Sequence, residues 1–557
     1  LSVTPVLASE SGPLDVIPNP ELPPSIAPVI ILKGSNYEMG YQYFQQLAQL
    51  FGSWILENMQ RKLTEEELNA LAVNERYLKA YTPQLIDYFK GMADGATDAG
   101  VELTYNEVLA NFVGTMTYPG EPPPPEEKNE DNCSAFSVWG STTTDGRLIA
   151  ANSTDATFDH SITLVAFPED GNNWISSAPA GGLPSAHPGM NNAGLFIGAS
   201  GGFARRPEDT DWGLPRSCHY LTLLQYCNNA EEAKNMFLSW EHLTSSANYH
   251  FSDISGNAYV VEWSSAFKSV REPGQYTTGE KEYGDNTNFI YSTNNYFTNE
   301  GCEAILGEEF IEHCGWLGRS ASISSVTRNM YLWNMLHNYH GNIDLEFVKM
   351  MWRFPGTPPP EGSLYPCDPE VRDAYYDTQG KGWNQVICNL DNNNVGICLP
   401  DKGDNGVMYV CLGPAGKVAY PLAPGADYYQ IEGTHTFYEL ALAANPNNVV
   451  NAAKTVAHHN IAKAYSQLMW LNYSDTGYAA LNELYSKANA EYYEGVKWHK
   501  KANSANGDKQ LLYYSCAATA FTRSQCHAQQ VYEALVPAPT SPKDLGLKPY
   551  TYKDLGR

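Results

Sequence analysis

The sequence has no excess of positive charge. Its 35 lysines and arginines stand against 62 aspartates and glutamates, a formal net charge of −27. Phosphate binding needs a basic surface, so nucleic-acid recognition is excluded, and attachment to a membrane surface through lysine and arginine is disfavoured with it. There is no run of about 20 apolar residues, so no transmembrane helix is expected. The 11 cysteines contain no CxxC pair; a structural zinc site is not indicated, and no metal or cofactor is called for. No repeat of fixed length is present either. What is there is ordinary for a folded protein with a sizeable core: 43% hydrophobic and 17% charged residues, too apolar for general disorder. The odd cysteine count leaves one thiol over if the rest pair. Cys302 with Cys314 is a feasible short-loop disulfide, and scattered buried thiols are the alternative.

The 557 residues suggest about two to four domains, or one large domain with additions. Residues 1–28 are Pro-rich and polar. They read as an extended arm left after removal of an export signal, giving a periplasmic or extracellular protein, or as an unstructured start to a cytoplasmic one. A short strand at 29–36 is followed by helices up to residue 112, with Thr64/Glu67 and Thr104/Glu107 as capping boxes. Residues 118–132, with four consecutive prolines and a run of acids, read as a surface loop or linker. From Cys133 the pattern turns to strands, with interleaved helices at 217–240 and 324–351. Residues 435–535 are Ala-rich, helical in period and nearly free of strand signals. The expected organisation is an arm (1–28), a helical pro-segment (29–132), a sheet-rich unit (133–430) and a helical C-terminal region (431–557).

The sharpest chemical feature is the junction Asp131-Asn132-Cys133-Ser134. A flexible acidic loop delivers a cysteine to the first strand of the sheet-rich unit. If the Asn132–Cys133 bond were cut, Cys133 would own a thiol and a free α-amine, a nucleophile and its base. The unperturbed pKa values, about 8.5 and about 7.7–8.0, let either exchange protons near neutrality without a histidine. The plain alternative is a buried strand cysteine.

Further strings carry a resemblance. Tyr37-Glu38-Met39-Gly40 and Gly91-Met92-Ala93-Asp94-Gly95 precede the junction, with Asn106–Asn111 after them. Cys133-Ser134-Ala135-Phe136, Asp145-Gly146 and Asn152-Ser153-Thr154-Asp155 follow. Then come Gly189-Met190-Asn191-Asn192-Ala193-Gly194-Leu195, Thr293-Asn294-Asn295-Tyr296 and Ser324-Ser325-Val326-Thr327-Arg328. In order and spacing, over roughly residues 30–425, the chain resembles the N-terminal-nucleophile (Ntn) cysteine hydrolases of the isopenicillin-N acyltransferase branch, with choloylglycine hydrolases as more distant relatives. The resemblance implies an α+β fold, a four-layer αββα sandwich, here with an added helical C-terminal region. It also implies a precursor that cuts itself at Asn132-Cys133 into an α/β heterodimer, able to form a higher oligomer, and that acts on a small-molecule N-acyl amide.

Roles follow by the same resemblance. Cys133 is the nucleophile. Asp155 orients its α-amine, or simply caps a turn. Asn294 donates to the oxyanion, unless adjacent Asn295 does; such a donor contributes about 3 kcal/mol. Arg328 pairs with Asp155 or with a substrate carboxylate. Ser200 and Gly201 end a strand where relatives supply an oxyanion donor, and Asn152 takes a place where choloylglycine hydrolases carry arginine, which weakens a bile-salt reading. The adjacent His458 and His459 point about 100° apart on a helix and suit a surface better than a metal. Three functions remain open: amide hydrolysis, acyl transfer to an amine, and a non-catalytic scaffold.

Overall fold

A computed structural model describes residues 27–115, 133–154, 161–185, 187–201, 213–244, 246–265, 267–274, 288–298, 300–301, 323–353, 394–412, 436–472, 477–539 and 541–549. Asn132, Asp155, Cys302 and Cys314 lie outside them. So do the strand-like segments NQVICNL and KVAYPL and the PAGK turn.

The chain enters through β1 (Val29–Gly34) and turns into α1 (Asn36–Phe51). Helices α2 (Trp54–Glu57), α3 (Glu65–Tyr81), α4 (Gln84–Asp98) and α5 (Tyr105–Val113) follow. The two expected capping boxes form, and Ser35 with Glu38 makes a third at the start of α1. The glycines of the first two motifs have a steric reason. A Cβ on Gly40 would lie 2.0 Å from Tyr88 O, one on Gly91 2.0 Å from Tyr37 O, and one on Gly95 2.3 Å from Tyr41 O. Backbone therefore meets backbone where α1 crosses α4, which no larger residue permits. Tyr37 and Tyr41 bond Asp94 and Asp98 across the same crossing at 2.6 and 2.7 Å.

After residue 132 come β2 (Cys133–Val138), β3 (Ile149–Thr154), β4 (Ser161–Pro168), β5 (Trp174–Pro179), β6 (Gly189–Asn191) and β7 (Leu195–Gly201). Helices α6 (Arg216–Tyr226) and α7 (Ala230–Ser239) lead to β8 (Ala247–Asp253), β9 (Ala258–Trp263), β10 (Lys268–Arg271) and β11 (Phe289–Ser292). Then come α8 (Ile323–Asn338), α9 (Leu345–Arg353), β12 (Asn394–Leu399), β13 (Val407–Leu412) and β14 (Tyr438–Ala441). Three long helices end the order: α10 (Pro446–Leu468), α11 (Tyr478–Ala502) and α12 (Gly507–Leu535).

The strands form two sheets, one of eight in the order β1-β4-β5-β6-β7-β8-β9-β10 and one of six in the order β11-β2-β3-β12-β13-β14. Only β1 with β4 is parallel among these pairings. Side chains alternate between the faces, as strand geometry requires. Ile30, Leu32, Leu164 and Ile197 pack outward against α1, α4 and α6. Val29, Ile31, Val165 and Phe196 face the other way, toward Ala150, Ile290, Met408 and Val410 of the second sheet. Phe136, Val138, Ile149 and Val395 complete that second sheet's outer face against α8 and α9. Helices, sheet, sheet, helices: this is the α+β sandwich of four layers that was expected.

Two details were not. β1, the short strand expected ahead of the helices, is built into the larger sheet, and β14, from the segment read as helical after residue 430, is the sixth strand of the smaller one. Both are edge strands, and α12 seals both with side chains. Val29 N–H donates to Thr519 Oγ1 (2.9 Å), and that hydroxyl donates back to Val29 O (3.2 Å). Ile31 N–H donates to Ser515 Oγ (2.8 Å), and Thr522 Oγ1 donates to Ala27 O (2.7 Å). Gln42 and Gln46 of α1 satisfy Lys33 and Ile31 O. On the other sheet, Gln525 bonds both backbone groups of Glu439 (2.8 and 3.2 Å), and Gln529 donates to Phe437 O (2.8 Å). These residues recur three or four apart, so one helix face carries them all. An edge strand's orphan backbone groups, otherwise a pairing hazard, are thus used up.

Candidate active site

The site forms where β2, β7, the turn after β11 and α8 converge. Cys133 is the first residue of β2 and is buried. Its backbone N–H donates to Asn294 Oδ1 at 3.0 Å. Asn294 in turn donates its Nδ2 to Gly201 O at 2.8 Å. Arg328, fully buried on α8, donates to Cys133 O, to Ser134 Oγ (2.9 Å) and to Asn294 Oδ1 (2.7 Å). The guanidinium fork therefore grips the backbone on the carbonyl side of Cys133 while the asparagine grips its nitrogen.

Ser200 Oγ donates to Thr293 O at 2.5 Å, tying the end of β7 to the asparagine turn. Asn152 lies one strand away. Its Nδ2 donates to Ser134 O (3.0 Å) and Ser153 O (2.7 Å), and its Oδ1 accepts from Ala199 N–H (2.9 Å). Both hydrogens and the oxygen of that amide are spent on backbone, stitching the two sheets together behind Cys133. The structure thus brings Cys133, Asn152, Ser200, Gly201, Asn294 and Arg328 together. Asp155, expected beside the amine, is outside the described residues, as is Asn132.

Asn295 is placed as a support of the asparagine turn, and Asn329, Asn248, Glu262 and Arg271 around it gave no signal in the sequence. Asn295 Oδ1 accepts from Thr293 Oγ1 (2.9 Å) and from Asn329 Nδ2. Asn248 on β8 donates to Thr293 O (2.5 Å) and Asn295 O (3.0 Å). Glu262 on β9 and Arg271 on β10 are a buried ion pair at 3.3 Å. Glu262 also accepts from Phe297 N–H (2.8 Å), Thr298 N–H (2.9 Å) and Thr298 Oγ1 (2.7 Å), and Arg271 donates to Tyr291 O (2.5 Å). A desolvated pair is retained where its remaining hydrogen bonds are satisfied. Here they clamp both ends of the turn that presents Asn294. Such a clamp is invisible in sequence, because its members are 9 residues apart on neighbouring strands.

Beneath β2, Ser137 Oγ meets His250 Nε2 (2.8 Å) and Ser252 Oγ (2.7 Å) across the sheets. Burial, helped by the Arg271 cation, pushes His250 down to about 3, so the ring is neutral. Among the described residues no cluster of three or more His, Cys, Asp or Glu could hold a metal ion, and no helix is long and apolar enough to cross a membrane. The described cysteines, Cys133, Cys218, Cys227, Cys398, Cys411, Cys516 and Cys526, are all buried.

Residues 142–347 match the family model of acyl-coenzyme A:6-aminopenicillanic acid acyl-transferase. An uncharacterized protein of Archaeoglobus fulgidus is 26% identical over 230 residues, which are 37% of this chain and 38% of that protein. The chain therefore spans well under half the length of this curated relative. A point mutant of the conjugated bile acid hydrolase from Clostridium perfringens has a TM-score of 0.29 and 12% identity, over 50% of this chain and 89% of that one. Penicillin V acylase from Agrobacterium tumefaciens has a TM-score of 0.27 and 13% identity, over 50% and 83%. The fold rests on the strand order and layers themselves. Family model and sequence motifs point the same way: the segment 142–347 is similar to the acyl-coenzyme A:6-aminopenicillanic acid acyl-transferase family.

Proposed function

We propose that this chain is an Ntn cysteine hydrolase that cuts itself between Asn132 and Cys133 and then cleaves a linear amide of a small N-acyl compound. The observation that carries this reading is the grip on Cys133: nitrogen on Asn294 Oδ1, carbonyl on Arg328, at the buried start of a strand. A structural strand cysteine needs neither.

In self-cleavage, Cys133 Sγ attacks the Asn132 carbonyl carbon. The C–N bond breaks, the thiol proton goes to the departing nitrogen, and a thioester forms. Water hydrolyses it, leaving the Asn132 carboxylate, a free thiol and a free α-amine. In turnover, the amine takes the Sγ proton as sulfur attacks the substrate acyl carbon. The amine then returns that proton to the leaving nitrogen, and water resolves the acyl-thioester. Asn294 holds the α-amine through Oδ1. Its Nδ2, turned from Gly201 O, becomes the oxyanion donor. Arg328 beside the same amine disfavours the ammonium form and so keeps the base available near neutrality. Asp155 would orient the amine from the other side.

Acyl transfer is the second reading, favoured by the match to an acyl-transferase family. An amine acceptor would replace water at the thioester, and the same nucleophile serves both. Intact mass spectrometry tests the core of the proposal. Wild type should give one fragment ending at Asn132 and one beginning at Cys133, while Cys133→Ala stays whole and inactive. Wild type that stays whole yet turns over amides refutes it. A screen of N-acyl amino acids, β-lactams and β-alanyl amines, with and without an added amine, separates hydrolase from transferase.

A further inference from the structure

Arg216 opens α6, and no sequence motif drew attention to it. Its Nε is buried without a hydrogen-bond partner, and among the described residues its guanidinium has no ion-pair partner. A desolvated guanidinium nitrogen with nothing to bond is costly, and such groups cluster where a ligand completes them. Its position is specific. A carbon atom placed as Cβ on Gly201 would lie 3.8 Å from Arg216 Nη1 and 3.8 Å from Asn294 Nδ2, with no other heavy atom of the described residues within 4 Å apart from those of its sequence neighbours. Gly201 itself is partly open to solvent. One bare backbone position is thus flanked by two N–H donors, one of them the residue that holds Cys133. The Arg216 charge is felt around it: burial first, then this cation, holds His187 and His219 in their neutral forms. Neither ring can therefore compete with Arg216 for an anion.

Arg328, the arginine read from sequence as a partner for a substrate carboxylate, is engaged with Cys133 O, Ser134 Oγ and Asn294 Oδ1. Arg216, by contrast, has no ion-pair partner among the described residues and lies beside Gly201. We propose that Arg216 binds a carboxylate on the substrate, so that the preferred amides are N-acyl amino acids whose free carboxylate lies across Gly201 from the scissile bond. The inference rests on the Cys133 reading and names the substrate class for it. A planar carboxylate suits the guanidinium fork, which offers two parallel N–H donors.

The test compares an N-acylglycine series with the matching N-acylglycinamides, on processed wild type, Arg216→Met and Arg216→Lys. Wild type should prefer the glycines. Arg216→Met should raise KM for them about 10–100-fold, the scale of a lost charge-assisted pair, with kcat nearly unchanged. The glycinamides should be unaffected, Arg216→Lys should recover part of the loss, and all three proteins should yield the same two fragments. Equal use of both series by wild type, or an Arg216→Met effect that is equal on both, overturns the assignment. A wild-type chain that never processes and hydrolyses neither series sinks the Cys133 reading instead. Sulfonate analogues used as well as the glycines would assign the site to anions at large and overturn the carboxylate preference.

Discussion

The seal that α12 places on β1 can be tested at a single atom. Thr519 is buried, and its hydroxyl both accepts from Val29 N–H and donates to Val29 O, at 2.9 and 3.2 Å. Val29 has no exposed surface. Thr519→Val keeps the side chain's volume and removes both bonds, leaving a buried donor and a buried acceptor with no water to turn to. Each orphaned group costs about 1–3 kcal/mol, so the substitution should destabilise by about 2–6 kcal/mol. Thr519→Ser keeps the hydroxyl and loses one methyl, a cost of about 1 kcal/mol. The assay is urea unfolding followed by tryptophan fluorescence on the three proteins. Size-exclusion chromatography of processed material in sub-denaturing urea adds a second reading. β1 belongs to the fragment before residue 132, so after the proposed cut that fragment is held by non-covalent contacts alone, and the valine variant should release it at lower urea than the serine variant. If valine and serine variants unfold together, within about 0.5 kcal/mol of wild type, water or backbone rearrangement satisfies Val29 and the sealing argument fails.

Acid should loosen the sandwich before the carboxylates titrate. Burial pushes His187 and His250 down to about 3. Their folded values lie below the unfolded one, so their contribution is complete above pH 6.5 and is lost as pH falls toward 3. At pH 5 each accounts for about 2 kcal/mol. Urea midpoints at pH 7.5 and pH 5 should differ accordingly, and His250→Asn should remove its share of that difference; an unchanged pH slope would refute the assignment. The clamp on the asparagine turn makes Glu262 a positioning residue. Glu262→Gln should slow fragment formation about 10–100-fold, the cost of a misplaced group. In an Asn294→Ala background it should slow it no further, whereas a purely structural role would be additive in the two backgrounds.

Local chemistry was legible in the chain. The capping boxes at Thr64 and Thr104 formed because a side chain and a backbone N–H three residues apart need no distant partner. The strand that begins at Cys133 was readable from alternation. Motif order led to Cys133, Asn294 and Arg328, which the fold brings within hydrogen-bond reach of one another. The tertiary structure decided what depends on long-range pairing. It made β1 and β14 edges of two different sheets, and it gave α12 the task of satisfying both. It set the Asn152 amide between the two sheets, bonded to Ser134 and to Ala199. It also set Glu262, Arg271 and Asn248 behind the asparagine turn and left Arg216 facing Gly201. A sequence displays neighbours along the chain, through caps, turns and periodicity. Which buried polar groups find each other across hundreds of residues is fixed only when the layers close, because each must find a partner once water is gone.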